Sequence, residues 1–137
     1  MRLQLTLVLV TLLSASNSPA TRTPPARPSA QLAGTYSNLT YNEESGDLLG
    51  LEVKIVPVVG ERYQAAVLTS NGEPQPMHVV EVHVSGGTVS FAVREDDATS
   101  WSFRGTVSAQ SLKGTITHSL GGREAVTLRR RCGYWDR

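Results

Sequence analysis

Three histidines, His78, His83 and His118, are the only imidazoles in the 137-residue chain, and none stands at a spacing that holds zinc. His78 and His83, five residues apart, fall on opposite faces of a strand, whose side chains alternate. Glu81 and His83 share a face, and an acid–imidazole pair there reads as solvated surface. Glu95, Asp96 and Asp97 in "REDDATS", and the acids of "NEESGD", offer the oxygen ligands that calcium favours. "REDDATS" lacks the glycine and spaced ligands of an EF-hand loop, and "NEESGD" has a glycine but not the spaced ligands, so both read as solvated hairpin tips. Nothing sets two carboxylates at the defined separation that glycoside hydrolysis needs. There is no Gly-x-Ser-x-Gly elbow and no phosphate-cradling glycine loop. The expectation is a protein that is not an enzyme, with no catalytic residue, no metal site and no cofactor.

The chain closes on "VTLRRRCGYWDR" (126–137), which holds three consecutive arginines, the sole cysteine and two aromatics. Within a strand of period two, Arg129 and Arg131 point outward and Arg130 points inward with Val126 and Leu128. An inward guanidinium needs hydrogen-bond partners or an aromatic face. Cys132 has no second cysteine for an internal disulfide, so the readings are a bridge to a second chain, a reactive thiol, or a half-buried small residue.

These residues are positioned by strands. From Gly34 onward apolar and polar residues alternate, broken by turn residues at the spacing of an all-β sandwich or barrel. The strands read as 34–41, 48–58, 62–70, 77–84, 88–94, 101–108, 112–119 and 125–131, and no segment of helix length carries 3.6-residue apolar spacing. The expected fold is all-β, a single eight-stranded antiparallel meander, closed as a barrel or stacked as a β-sandwich. The echo "GTYS", "GTVS", "GTVS", "GTIT" at 34, 87, 105 and 114 places glycine where a strand bends or is crowded. Alternation turns Leu49, Leu51, Val53 and Ile55 inward, then Tyr63, Ala65 and Val67, then Val80, Val82 and Val84. It continues with Val89, Phe91 and Val93, with Trp101, Phe103, Gly105 and Val107, and with Leu112, Ile116, Val126 and Leu128. Asn38 falls inward with Tyr36, although Asn38-Leu39-Thr40 also fits a glycosylation sequon.

The eight-strand pattern together with "GTYSN" resembles the calycin superfamily of lipocalins, fatty-acid binders and avidins. Those barrels open with Gly-x-Trp, whose aromatic packs near a basic residue of the last strand. Here Gly34-Thr35-Tyr36 stands for the motif, with tyrosine for tryptophan, and Arg130 for the base. The run "VSFAV…FRGTVS…LKGTIT…LRR" also looks like small lipocalin-like domains of exported bacterial proteins, some fused to hydrolases. The resemblance implies a closed barrel and a structural latch of Tyr36 and Arg130. Tyr134 and Trp135, turned back at Gly133, would then cover one barrel end.

Outside the strands, residues 1–20 read as a signal peptide, with Arg2, an apolar run and small residues at Ser18 and Ala20. Cleavage is expected after Ala20, with after Ser16 the alternative, and the apolar run is too short to span a membrane. Residues 21–32 read as a proline-rich linker and 33–137 as one barrel domain with an aromatic tail. The expected location is secreted or periplasmic, without stable membrane insertion. Removing Arg2, Arg22 and Arg27 takes the formal charge from +1 to −2, which argues against a nucleic-acid partner.

The leading functional expectation is a binder of a small apolar or amphipathic ligand. Tyr36, Asn38, Tyr63, Trp101, His118 and Arg130 are the polar or aromatic groups on its inner face. A second reading is an accessory module that meets another exported protein through its outer face or tail, and a third is an exported hydrolase or isomerase.

Overall fold

A computed structural model describes residues 32–132. They form β1 (Gly34–Ser37), β2 (Thr40–Tyr41), β3 (Leu48–Val58), β4 (Arg62–Gly72) and β5 (His78–Ser85). These are followed by β6 (Thr88–Arg94), β7 (Ser100–Val107), β8 (Ser111–His118) and β9 (Arg123–Arg131). Each strand from β3 to β9 pairs antiparallel with the next. β1 pairs with β9 on one side and β3 on the other, which closes the sheet. The result is an eight-stranded antiparallel meander barrel, with the two-residue β2 as an extra strand on β3. Closure removes the sandwich alternative, and with it the exposed edges that invite aggregation.

Period-two patterning is what makes these segments strands. Leu51, Val53 and Ile55 of β3 are buried while Lys54 and Val56 between and beside them are exposed. In β6, Val89, Phe91 and Val93 are buried and Ala92 and Arg94 are not. The barrel centre is filled by rings. Phe91 stacks on Phe103 at 5.1 Å between centroids and meets Trp101 edge-on at 6.0 Å. Each such side chain contributes about 1.5–3 kcal/mol by leaving water.

The glycine echo has several physical causes rather than one repeated bend. Gly86 and Gly87 form the two-residue turn between β5 and β6, both with positive φ (57° and 84°), as a type I′ hairpin demands. Gly105 and Gly114 face each other across β7 and β8, and the Phe103 ring lies over both. A Cβ on either would sit within 2.7 Å of Phe103 Cζ and of the opposite glycine's Cα. Here glycine makes room for a ring and for the backbone of the facing strand.

Several expectations from sequence change. The strand expected at 34–41 breaks after Ser37 into β1 and β2, because Asn38 turns its side chain onto the neighbouring strand. Leu49 and Val84, expected inside, are 46% and 47% exposed, since they sit where the wall ends. Asn38, also expected inside, is exposed, and Cys132 is exposed rather than half-buried. Leu32, assigned to the linker, is buried in the core. The signal peptide, the rest of the linker, Tyr134 and Trp135 lie outside the described residues.

Candidate functional site

The meander sends the 59–61, 86–87 and 108–110 connections to one end of the barrel, the base. The 42–47, 73–77, 95–99 and 119–122 connections lie at the other end, the mouth. The six residues singled out from sequence divide between these ends.

At the base, Tyr36 and Arg130 are direct partners across β1 and β9. Tyr36 is 0% exposed, and its hydroxyl donates to the Leu32 carbonyl at 2.9 Å. Arg130 Nη1 donates to Tyr36 Oη at 3.4 Å, Nη2 donates to the Ala33 carbonyl, and Cζ lies 5.6 Å from the Tyr36 ring centroid. The guanidinium lies so close over Gly34 that a Cβ there would meet Nη2 at 2.9 Å. Tyr63, paired with Pro57 and Val82, packs half-buried against the core at this same end. The base is therefore capped by the Tyr36–Arg130 pair, tied to the backbone of Leu32 and Ala33, with Tyr63 packed on the core beside it.

Burial raises the Tyr36 phenol above its ordinary value near 10, and the Arg130 charge opposes that rise in part. A group whose folded pKa is raised contributes stability that is complete below the unfolded value and declines as pH rises through the folded one. Unfolding midpoints should therefore be insensitive to Tyr36 up to about pH 10 and fall above it. The fall should be shallower in Tyr36→Phe. A wild type and a Tyr36→Phe variant that fall in parallel between pH 9 and 12 would exclude this coupling.

At the mouth, Asn38, Trp101 and His118 border one solvent-open cleft of about 330 Å³. Its floor is apolar, formed by Leu51, Trp101, Ile116 and Val126, and its walls carry Thr69, Asn71, Glu95 and Glu124. Thr69, Asn71 and Glu95 also line an adjoining hollow of about 460 Å³ that runs past His78 and Asp96.

Local bonds fix this rim. The Leu51 N–H donates to Asn38 Oδ1 at 2.7 Å, and the Asn38 N–H donates to the Leu51 carbonyl at 3.0 Å, so the side chain replaces a ladder bond where β1 ends. Gly50, with φ at 122°, permits this approach, since a Cβ there would lie 2.7 Å from Asn38 Oδ1. Trp101 donates its indole N–H to Glu95 Oε1 at 3.0 Å, which draws the β6–β7 loop across the mouth. Asp96 Oδ1 accepts the N–H groups of Ala98 and Thr99, and this holds its pKa below the usual carboxylate value. Ser119 bonds to Ser100, tying the next loop to the same rim.

The structure thus gathers Asn38, Trp101 and His118 into one site and leaves Tyr36, Tyr63 and Arg130 at the opposite end. Sequence reading missed Glu124 and Glu95. Glu124 shares the inward face of Val126 and Leu128 by alternation, a signal lost by starting that strand at 125. Glu95 was read as a solvated tip. The clue was Trp101, an inward indole whose N–H requires an acceptor. Among the described residues no group of three or more potential ligands is placed to hold a metal ion.

The class that these features define is a closed eight-stranded meander barrel, capped at one end by a tyrosine–arginine pair and open at the other in an apolar-floored cleft. No protein-family model matches the chain, and no curated protein matches it either.

Proposed function

We propose that this is an exported, non-enzymatic, lipocalin-like barrel that binds a small amphipathic molecule at its mouth. The observation that carries the reading is the cleft itself, with an apolar floor of Trp101, Leu51, Ile116 and Val126 under a rim of polar groups. That combination suits a small-molecule site, in which apolar walls supply affinity and a few polar groups fix orientation. With Tyr36 capping the base and Phe91 and Phe103 packed in the core, the molecule sits in the entrance rather than deep inside. The tyrosine–arginine pair beside Gly34 supports kinship with calycins, and residues 1–20 support export. The mid-barrel outer face, with Lys54, Glu81, Arg104 and Lys113, suits water rather than a lipid-facing band.

The test is titration with a neutral, environment-sensitive apolar dye such as Nile red, followed by dye emission and by the tryptophan fluorescence of a Trp135→Phe background, in which Trp101 is the sole indole. One saturable site is expected in the wild type. Thr69→Phe fills the cleft without hollowing the core, and it should abolish binding while leaving the melting temperature within a few degrees. Saturable binding that survives Thr69→Phe would place the ligand elsewhere and overturn the reading, as would a wild type that never binds.

A further inference from the structure

Resting on the mouth cleft as a ligand site, we infer that its ligand is a cationic amphiphile: a short apolar tail that lies on the floor and an ammonium or guanidinium head held by Glu95 and Glu124. The cleft joins two chemistries in one space. Trp101, Ile116 and Val126 offer apolar surface, and Glu95 and Glu124 stand in the walls above them. Their positions follow from the fold. Glu124 is the cross-strand partner of Ile116, one step up the inward face from Val126, and Glu95 is pinned over the mouth by the Trp101 indole. Neither the cleft nor the adjoining hollow has a lysine or arginine among its lining residues. Of the other polar groups there, Asn38, Thr69 and Asn71 are neutral and can accept hydrogen bonds from an ammonium, and His118 stands on the same rim.

The wider charge distribution favours the same ligand sign. The four mouth connections read "NEESGD", "EPQPM", "EDDAT" and "SLGG", with acids in three of them and no lysine or arginine in any. Strand ends at the base carry Arg62, Arg129, Arg130 and Arg131 beside the single loop acid Glu61, whereas strand ends at the mouth carry Arg94 and Arg123 against seven loop acids and Glu124. A field of this sense draws cations toward the mouth and repels anions from it. An anionic amphiphile such as a fatty acid would have to leave its carboxylate beside two others, which like-charge repulsion opposes. The cleft volume of about 330 Å³ lies at the low end for small-molecule sites, so the tail is short.

The experiment is calorimetric titration of the full mature protein with n-octylammonium, n-octanol and n-octanoate at one pH and two salt concentrations. The three probes share a tail and differ in head charge. Octylammonium should bind most tightly, weaken as salt is added, and lose about tenfold in affinity in Glu95→Gln/Glu124→Gln. Glutamine at position 95 keeps an oxygen acceptor for the Trp101 N–H, so the variant removes charge while the loop stays pinned. Octanol should bind the wild type and the double variant alike. Octanoate or octanol binding as tightly as octylammonium would overturn the cationic assignment while leaving the amphiphile site standing. Failure of all three to bind would overturn both.

Discussion

Arg130→Ala should lower the free energy of unfolding by about 2–4 kcal/mol, read as a shift of the denaturant midpoint at unchanged slope. Three contacts vanish together: the bond to the Ala33 carbonyl, the bond to Tyr36 Oη and the position of the cation near the Tyr36 ring. Hydrogen bonds from a charged donor contribute about 1.5–3 kcal/mol, and the ring contact adds about 0.5–2 kcal/mol. The sum is discounted because Arg130 is only half-buried and water can reach part of what it leaves. Arg130→Lys should recover only part of the loss, because an ammonium cannot reproduce the planar fork that reaches two acceptors. An unchanged midpoint in Arg130→Ala would mean that β1 closes the barrel without this pair.

Gly114→Ala should cost about 3 kcal/mol, more than a surface β-propensity change could explain. The new Cβ would lie 2.7 Å from both the Gly105 Cα and Phe103 Cζ. A backbone neighbour cannot move aside as the end of a flexible side chain can. The Phe103 ring is in turn held by its stack on Phe91. Thr115→Ala, one residue along on the outer face, should change stability by less than about 0.5 kcal/mol. In a double-mutant cycle, Phe103→Leu should absorb a minor part of the Gly114→Ala penalty, since the ring is one of three groups the new Cβ would meet, beside the Arg104 carbonyl oxygen and the Gly105 Cα. Strict additivity in that cycle would place the strain elsewhere.

These two results bear on how far the fold can be read from residues. Alternation alone located the long strands, because in a closed barrel one face is uniformly dry and a one-residue slip would expose Phe91 or Val53. Period two also turned Arg130 inward, away from its two neighbours. It failed where the wall stops being regular. Leu49 and Val84 keep the inward phase yet lie at the rim, because alternation gives direction but not depth. Asn38 left its strand because a side-chain amide can take the place of a backbone group, which no periodicity records. The candidate site was less legible for the same reason. His118 and Asn38 reach the mouth from strands far apart in sequence, and their meeting with Glu124 depends on register and closure together. Glu95 lay in a loop that composition alone reads as solvent-facing, and the Trp101 bond that fixes it is a tertiary fact.

The central claim is that the mouth cleft holds a small molecule with an apolar tail and a cationic head. The most direct measurement is native mass spectrometry of the protein purified without denaturation from the cells that make it. The account predicts an adduct of one small molecule per chain that ionises as a cation when released, and that is absent from Glu95→Gln/Glu124→Gln prepared in the same way. A wild type found only at its unliganded mass, or one that carries an anionic adduct indifferent to those substitutions, would contradict it.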